Sequence, residues 1–191
     1  MSKFTKTQCA NFEGLYVVEP TKFGDNRGYF METYSKKEFE EIGLDYEFVQ
    51  DNQSRSSKGV LRGLHFQKEN VQAKLVRCTE GTVYDVAVDL RPGSKTYGKY
   101  YGVILSEDNC KMFMIPRGFA HGFYVLSDFA TFCYKVDNDF NPAAEGGVKW
   151  DDPDIGIKWP FDSDTKINTS PKDAVWPNLK ELRNTDLFKD L

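Results

Sequence analysis

The chain has 191 residues, a formal net charge of -4 and a sequence pI of about 5.3. Lysine, arginine, aspartate and glutamate are interspersed along the whole length, which argues against a nucleic acid as partner. No stretch approaches the ~20 apolar residues that span a bilayer, and the start lacks the apolar run of a signal peptide. We therefore expect a cytoplasmic protein that contacts no membrane.

The length suits a single folded unit, because a chain of this size can fill one hydrophobic core. We expect one domain over residues 1–191, with an N-terminal extension over about 1–14 and a C-terminal wrapping tail over about 150–191. The four cysteines show no metal-binding spacing, so we expect them to be reduced packing residues.

Short runs rich in Val, Tyr, Phe and Thr, separated by Gly, Pro, Asp and Asn, occupy most of the chain. Such runs at a spacing of roughly ten residues indicate an antiparallel sandwich or barrel. The predicted strands cover residues 15–19, 29–34, 48–53, 74–79, 82–89, 100–105, 111–115, 123–126 and 131–136.

Two elements have clear local signals. In the strand over 82–89, Val86 and Val88 are two residues apart and therefore face one way. Ser35 and Glu38 have the spacing of a capping box, and Gly43 marks the end of the short helix that would follow.

The only two histidines, His65 and His121, lie in glycine-flanked strings that also contain an arginine. Imidazole is the side chain best suited to take and return a proton near neutral pH, so any acid–base chemistry should involve these positions. In a strand, His65 and Gln67 share a face with Gly63, whose missing side chain would leave room for a ligand. Arg62 alternates away from that face, and the sequence leaves open whether it reaches the same cavity.

The string over 116–121 has the form Pro-x-Gly-x-x-His and resembles the second motif of the cupin superfamily. In metal-binding cupins the first motif supplies two histidines, and Gln67 stands at the place of the second. His65 and His121 alone fall short of the three protein ligands of such a site unless an acid joins them. We therefore expect no metal ion.

A closer resemblance is carried by several strings that occur in order. They lie at residues 24–30, 48–52, 59–67, 84–91, 115–123, 134–135 and 150–153. Over roughly residues 12–177 the chain resembles dTDP-4-dehydrorhamnose 3,5-epimerases. The resemblance implies an all-β, double-stranded β-helix jelly roll (cupin) with short peripheral helices, assembled as a homodimer.

The resemblance also implies an isomerase of dTDP-L-rhamnose biosynthesis, which serves polysaccharide biosynthesis. Its substrate would be a dTDP-linked 4-keto-6-deoxy sugar, dTDP-4-dehydro-6-deoxy-D-glucose, and its product dTDP-4-dehydro-L-rhamnose. No cofactor is needed, because the ketone at carbon 4 acidifies the protons at carbons 3 and 5. The enzyme must supply a base on one face of the ring, an acid on the other, and positive charge at the carbonyl oxygen.

By the same resemblance, His65 is the base, Asp173 is the carboxylate that orients it, and Tyr134 is the acid. Lys74 is the cation near the enolate. Phe140 falls where the family places a ring, usually tyrosine, that stacks on thymine. The expected substrate-binding residues are Arg27, Glu32, Gln50, Asp51, Asn52, Arg62, Lys74, His121, Phe140, Glu145 and Lys172.

Three alternatives stay open. The protein could act on another 4-keto sugar nucleotide or invert one carbon only, since a single-site epimerase needs the same base and acid. It could be a sugar-binding jelly roll without turnover, in which His65 and Tyr134 only hydrogen-bond a ligand. A metal-dependent cupin enzyme is the third.

Overall fold

A computed structural model describes residues 2–183, 185–189 and 191 of the chain. Strands dominate it, and the described residues include two short α-helices and one 3-10 helix. The strands are β1 (Phe4–Gln8), β2 (Tyr16–Pro20), β3 (Phe23–Asp25), β4 (Gly28–Phe30), β5 (Gln50–Ser57), β6 (Leu61–Gln67), β7 (Lys74–Glu80), β8 (Thr82–Asp89), β9 (Tyr100–Ser106), β10 (Met112–Ile115), β11 (Phe119–Val125), β12 (Phe129–Val136) and β13 (Glu145–Gly147). The helices are α1 (Lys36–Glu41), the 3-10 helix Pro142–Ala144 and α2 (Leu179–Arg183).

Two antiparallel sheets form the body of the molecule. The first has six strands in the order β1-β2-β10-β7-β12-β5, and the second has five in the order β13-β6-β11-β8-β9. Strands β3 and β4 form a separate hairpin. The predicted all-β architecture is confirmed.

The pattern of β8 shows why the two sheets stack. Val83 and Ala87 face the cluster of apolar side chains between the sheets. Val86 and Val88 lie on the opposite face, as predicted, in a second cluster that includes α2 and other C-terminal residues. A strand buried on both faces is apolar at nearly every position, which explains why the sequence predicted its bounds correctly.

Helix α1 covers part of the outer face of the six-stranded sheet, where Phe39 packs against Phe4. Ser35 is its N-cap and accepts from the Glu38 backbone N–H at 3.5 Å, as predicted. The Glu38 carboxylate does not complete the capping box. It accepts instead from the Lys3 backbone N–H at 2.9 Å and the Ser2 hydroxyl at 3.0 Å, and so ties the N-terminus to the helix. Within the described residues, no helix has the length and apolarity needed to cross a bilayer.

Candidate active site

A cavity of about 180 Å³ opens between the sheets. His65 reaches it from β6 of the five-stranded sheet, whereas Lys74 and Tyr134 reach it from β7 and β12 of the six-stranded sheet. Its lining residues are Gln50, Asn52, His65, Phe66, Gln67, Gln72, Lys74, Tyr134, Phe140 and Glu145. An imidazole and a phenol therefore face one cavity from opposite walls.

The strand register brings the polar residues of the six-stranded sheet together. Asn52 of β5 lies directly opposite Tyr134 of β12, and Lys74 of β7 lies opposite Val136 of β12. Because side chains alternate along a strand, these even-numbered positions share one face. Asp51 lies on the other face, where it accepts from the Lys135 ammonium at 2.7 Å. The structure therefore does not bring Asp51 to the cavity.

His65 is paired with Asp173 across 108 residues of sequence. The distance from His65 Nε2 to Asp173 Oδ1 is 2.5 Å, and Asp173 is 2% exposed. Burial acts to raise the pKa of Asp173, but the bonds with His65, Ser170 and Trp176 outweigh it and leave that pKa below its ordinary value. An ionised carboxylate has no proton to donate, so His65 Nε2 carries the hydrogen of this bond, and in the neutral imidazole Nδ1 keeps a free lone pair.

Backbone hydrogen bonds between the C-terminal tail and the start of β6 position Asp173 beside His65. The Leu61 N–H donates to the Asn168 carbonyl, and the Asn168 N–H donates to the Gly59 carbonyl, both at 2.9 Å. Five residues later, the Asp173 N–H donates to the Ser170 hydroxyl at 3.1 Å. The tail is therefore fastened to the start of β6, the strand that carries His65.

Lys74 is a partly desolvated cation. Burial lowers its pKa from 10.5 to about 8, while Asp85 and Glu145 act in the opposite direction. Asp85 is completely buried in β8, and both of its oxygens lie within 3.0 Å of His121 Nε2. Burial raises the pKa of Asp85, and His121 and Lys74 oppose that rise.

Asp85 was not among the site residues predicted from the sequence. A signal was present, because Asp85 is an acidic residue in the middle of a largely apolar strand. His121 is the hydrogen-bond partner of Asp85 and is only 8% exposed, and it is not among the cavity-lining residues.

Tyr134 is a half-buried phenol at the opposite wall. Burial raises its pKa above the ordinary value of 10, with Arg62 lowering and Glu145 raising it as smaller effects. The side chain therefore stays protonated at neutral pH and can act as a proton donor.

Arg62, whose direction the sequence left open, lines a second cavity of about 600 Å³. His65 lines both cavities, so the two adjoin. Lys172 and Asp173 also line this second cavity. The Lys172 ammonium donates to Glu145 at 2.6 Å. Two cations thus lie beside the cavity that holds the histidine.

One expectation about β6 is corrected, and the expectation that Gln67 shares the face of His65 is confirmed. A Cβ at Gly63 would lie 2.6 Å from Gly122 Cα, so the missing side chain accommodates β11 and leaves no room for a ligand. The Gln67 side chain lines the cavity, but it bonds the backbone of residues Asn70, Asp139 and Asn141. Its amide shapes the loop that follows β12 and carries Phe140, a ring that is 52% exposed at the cavity.

The family model described as dTDP-4-dehydrorhamnose 3,5-epimerase matches residues 9–181. A protein of that name from Methanothermobacter thermautotrophicus is 50% identical over 179 residues, which cover 94% of this chain and 95% of the relative. The chain belongs to the dTDP-4-dehydrorhamnose 3,5-epimerase family.

Solved epimerases share its cupin-like jelly roll. A dTDP-6-deoxy-D-glucose-3,5-epimerase from Legionella pneumophila, in complex with dTDP-4-keto-L-rhamnose, superposes with a TM-score of 0.89 at 46% identity and covers 94% of this chain and 96% of its own. ChmJ, a 3'-monoepimerase from Streptomyces bikiniensis in complex with dTDP-quinovose, superposes with a TM-score of 0.86 at 32% identity, with 95% and 91% covered. The architecture therefore accompanies both double and single inversion.

Besides Asp51 and His121, two further residues expected at the epimerase site lie away from the cavity. Arg27 is on the exposed β3–β4 hairpin and forms an ion pair with Asp25 at 2.5 Å. Glu32 forms an ion pair with Lys3. Neither lines the cavity of its own chain. Within the described residues, no cluster of three or more His, Cys, Asp or Glu side chains is arranged to hold a metal ion.

Proposed function

We propose that the protein converts dTDP-4-dehydro-6-deoxy-D-glucose to dTDP-4-dehydro-L-rhamnose without a cofactor, as a cytoplasmic step of dTDP-L-rhamnose biosynthesis. One observation carries the proposal: a carboxylate-paired histidine and a protonated tyrosine line one cavity from opposite sheets. Inversion of a carbon needs a proton removed from one face and returned to the other, and this is the arrangement of His65 and Tyr134.

The proton path follows from the hydrogen bonds. His65 Nδ1 removes the proton from the carbon next to the ketone, and the resulting imidazolium is stabilised by Asp173. The electron pair moves onto the ketone oxygen, where Lys74 supplies positive charge to the enolate. Tyr134 then protonates the carbon from the other face. Exchange with solvent returns the proton to Tyr134 and removes one from His65, so the enzyme is unchanged after each inversion.

The charges of the second cavity suit the nucleotide. Arg62 and Lys172 line it beside His65, and a diphosphate needs donors of this kind because guanidinium and ammonium groups bind phosphate oxygens. Phe140 offers an exposed ring for stacking on thymine. Gln50, Asn52 and Glu145 line the sugar side and can hydrogen-bond hydroxyl groups.

A homodimer would complete the site. Residues 21–30, which include the β3–β4 hairpin, are all exposed, and the rings of Phe23, Tyr29 and Phe30 are more than half exposed. Apolar rings on a projecting hairpin are typical of a segment that a partner covers. We infer that the hairpin of each copy places Arg27 and Glu32 at the cavity of the other copy.

The decisive experiment is incubation with dTDP-4-dehydro-6-deoxy-D-glucose in deuterium oxide, with the label located by NMR. We expect deuterium at carbon 3 and carbon 5 and formation of the L-rhamno product. Label at one carbon only would overturn the proposal and support the single-inversion alternative. That alternative has a precedent in the similar protein ChmJ, a 3'-monoepimerase. No exchange at either carbon would favour a sugar-binding protein without turnover, and activity lost on exhaustive chelation would favour a metal-dependent enzyme.

A further inference from the structure

Trp176 contacts the His65–Asp173 pair at Asp173 Oδ1, the oxygen that also contacts His65. Its indole Nε1–H donates to Asp173 Oδ1 at 3.2 Å, and this is the oxygen that His65 Nε2 contacts at 2.5 Å. The indole ring also lies edge-on to the imidazole, with ring centroids 6.2 Å apart and an interplanar angle of 75°. One carboxylate oxygen is therefore held by two donors.

The second oxygen of the carboxylate is held weakly. The Gly63 backbone N–H donates to Asp173 Oδ2 at 3.4 Å, near the long limit for a hydrogen bond. Rotation of the carboxylate about its Cβ–Cγ bond is therefore restrained mainly by the two donors at Oδ1, and the Ser170 side chain also interacts with the carboxylate. Of the two donors at Oδ1, the indole is the one that takes no part in proton transfer.

Gly147 of β13 leaves the space that the indole fills. It lies opposite His65 in the β13–β6 register. A Cβ added to Gly147 would lie 2.5 Å from the Trp176 ring, closer than real Cβ contacts. The reason for a glycine here is space, because the backbone is not in the left-handed region that favours glycine.

We propose that Trp176 is a positioning residue for the His65–Asp173 pair and that Gly147 admits its ring to that place. The indole donor fixes the carboxylate so that His65 keeps its hydrogen on Nε2 and its lone pair on Nδ1, aimed at the cavity. This inference rests on the proposed function for its kinetic consequence. Its spectroscopic consequence is independent of any substrate.

The test is Trp176→Phe, which keeps an aromatic ring and removes the N–H donor. The matched control is Trp159→Phe, because Trp159 Nε1 donates at 2.9 Å to the Trp150 carbonyl, outside the cavity. For Trp176→Phe we expect kcat to fall by about tenfold or more with KM within about twofold. Trp159→Phe should keep the wild-type kcat.

The spectroscopic arm uses the fact that the chain has only two histidines. In wild-type protein, imidazole 15N shifts should show His65 with hydrogen on Nε2, and the His65→Asn spectrum assigns the remaining signals to His121. We expect both tautomers of His65 to be populated in Trp176→Phe and only one in Trp159→Phe. An unchanged tautomer in Trp176→Phe overturns the proposal, even if the variant is less stable. If the wild-type enzyme shows no epimerisation, the proposed function fails while this arm still decides the positioning role.

Gly147→Ala provides a second route that removes no donor. The methyl group should displace the indole and lower kcat, and the same change should cost little in a Trp176→Ala background, where no ring occupies that space. Equal losses of kcat in both backgrounds would contradict the proposal that Gly147 leaves the space that the indole ring occupies.

Discussion

His65 and Tyr134 line one cavity from opposite sheets, although they are 69 positions apart in the sequence. The two side chains cannot reach each other through a common strand or hairpin. Only the stacking of the sheets makes them neighbours of one ligand. Under the proposed function, this keeps the acid and the base on different faces of the bound sugar ring, which is the requirement for inversion as opposed to simple proton exchange.

His65→Asn should abolish turnover and leave the fold intact. Asparagine can still hydrogen-bond Asp173 but cannot accept a proton from carbon, so we expect kcat to fall by at least about 10³-fold. The melting temperature should change by no more than about 4 °C. Steady-state kinetics and thermal unfolding check this. A variant with near wild-type activity would contradict the assignment of the base.

Tyr134→Phe should separate proton exchange from inversion. With the acid missing, the enolate is protonated again by His65 on the face from which the proton left. In deuterium oxide we therefore expect deuterium to enter recovered substrate while formation of inverted product falls by about 10²-fold or more.

Tyr124→Phe is the matched control for that experiment. Tyr124 is 1% exposed, and its hydroxyl has no hydrogen-bond partner within the described residues. Removing an unpartnered buried hydroxyl should leave activity unchanged and stability equal or slightly higher. Loss of exchange and inversion to the same extent in Tyr134→Phe would assign Tyr134 a role other than the acid.

Lys74 should set the alkaline limit of activity. Its pKa is lowered to about 8, so raising the pH through that value removes the charge that stabilises the enolate, and kcat/KM should fall. The raised pKa of Tyr134 places loss of the phenolic proton at higher pH. Arginine stays charged to higher pH than lysine, so Lys74→Arg should move the alkaline limit of kcat/KM to higher pH. An alkaline limit that stays near pH 8 in Lys74→Arg would contradict this origin.

Asp85→Asn should move the same limit in the other direction. The negative charge of Asp85 raises the pKa of Lys74, so its removal lowers that pKa further and the loss of kcat/KM should begin at lower pH. We expect the variant to be destabilised by about 1–3 kcal/mol, because the buried His121 loses a charged partner. A pH profile identical to wild type would show that Asp85 supports only the fold.

Local patterns explain which elements could be predicted. Strands such as β8 alternate between two buried faces, and α1 begins at a capping serine, so periodicity and local signals suffice. Strand β1 has only one buried residue, Phe4, and its polar remainder gave no strand signal. Strand β13 has three residues, two of them glycine, and is a strand only because it pairs with β6.

The site residues divide in a similar way. Period two alone indicates that Gln50 and Asn52 share a face and that Asp51 does not, so this separation was available from the sequence. The pairing of His65 with Asp173 was reached only through family resemblance, because no local rule connects residues 108 positions apart. Trp176 was missed for the same reason: its role depends on a tail whose path is set by tertiary bonds.

Mixed dimers can test whether the β3–β4 hairpin acts on the other copy. If Arg27 serves the partner's cavity, a heterodimer of Arg27→Ala and His65→Asn contains one intact site, because the intact His65 and the intact Arg27 meet there. Random exchange makes half of the dimers mixed, so the mixture of two nearly inactive variants should recover about a quarter of wild-type activity. The control is a mixture of His65→Asn and Asp173→Asn, whose residues pair within one chain and should give no recovery. Activity of the first mixture no higher than the mean of its parents would show that Arg27 does not complete a partner's site.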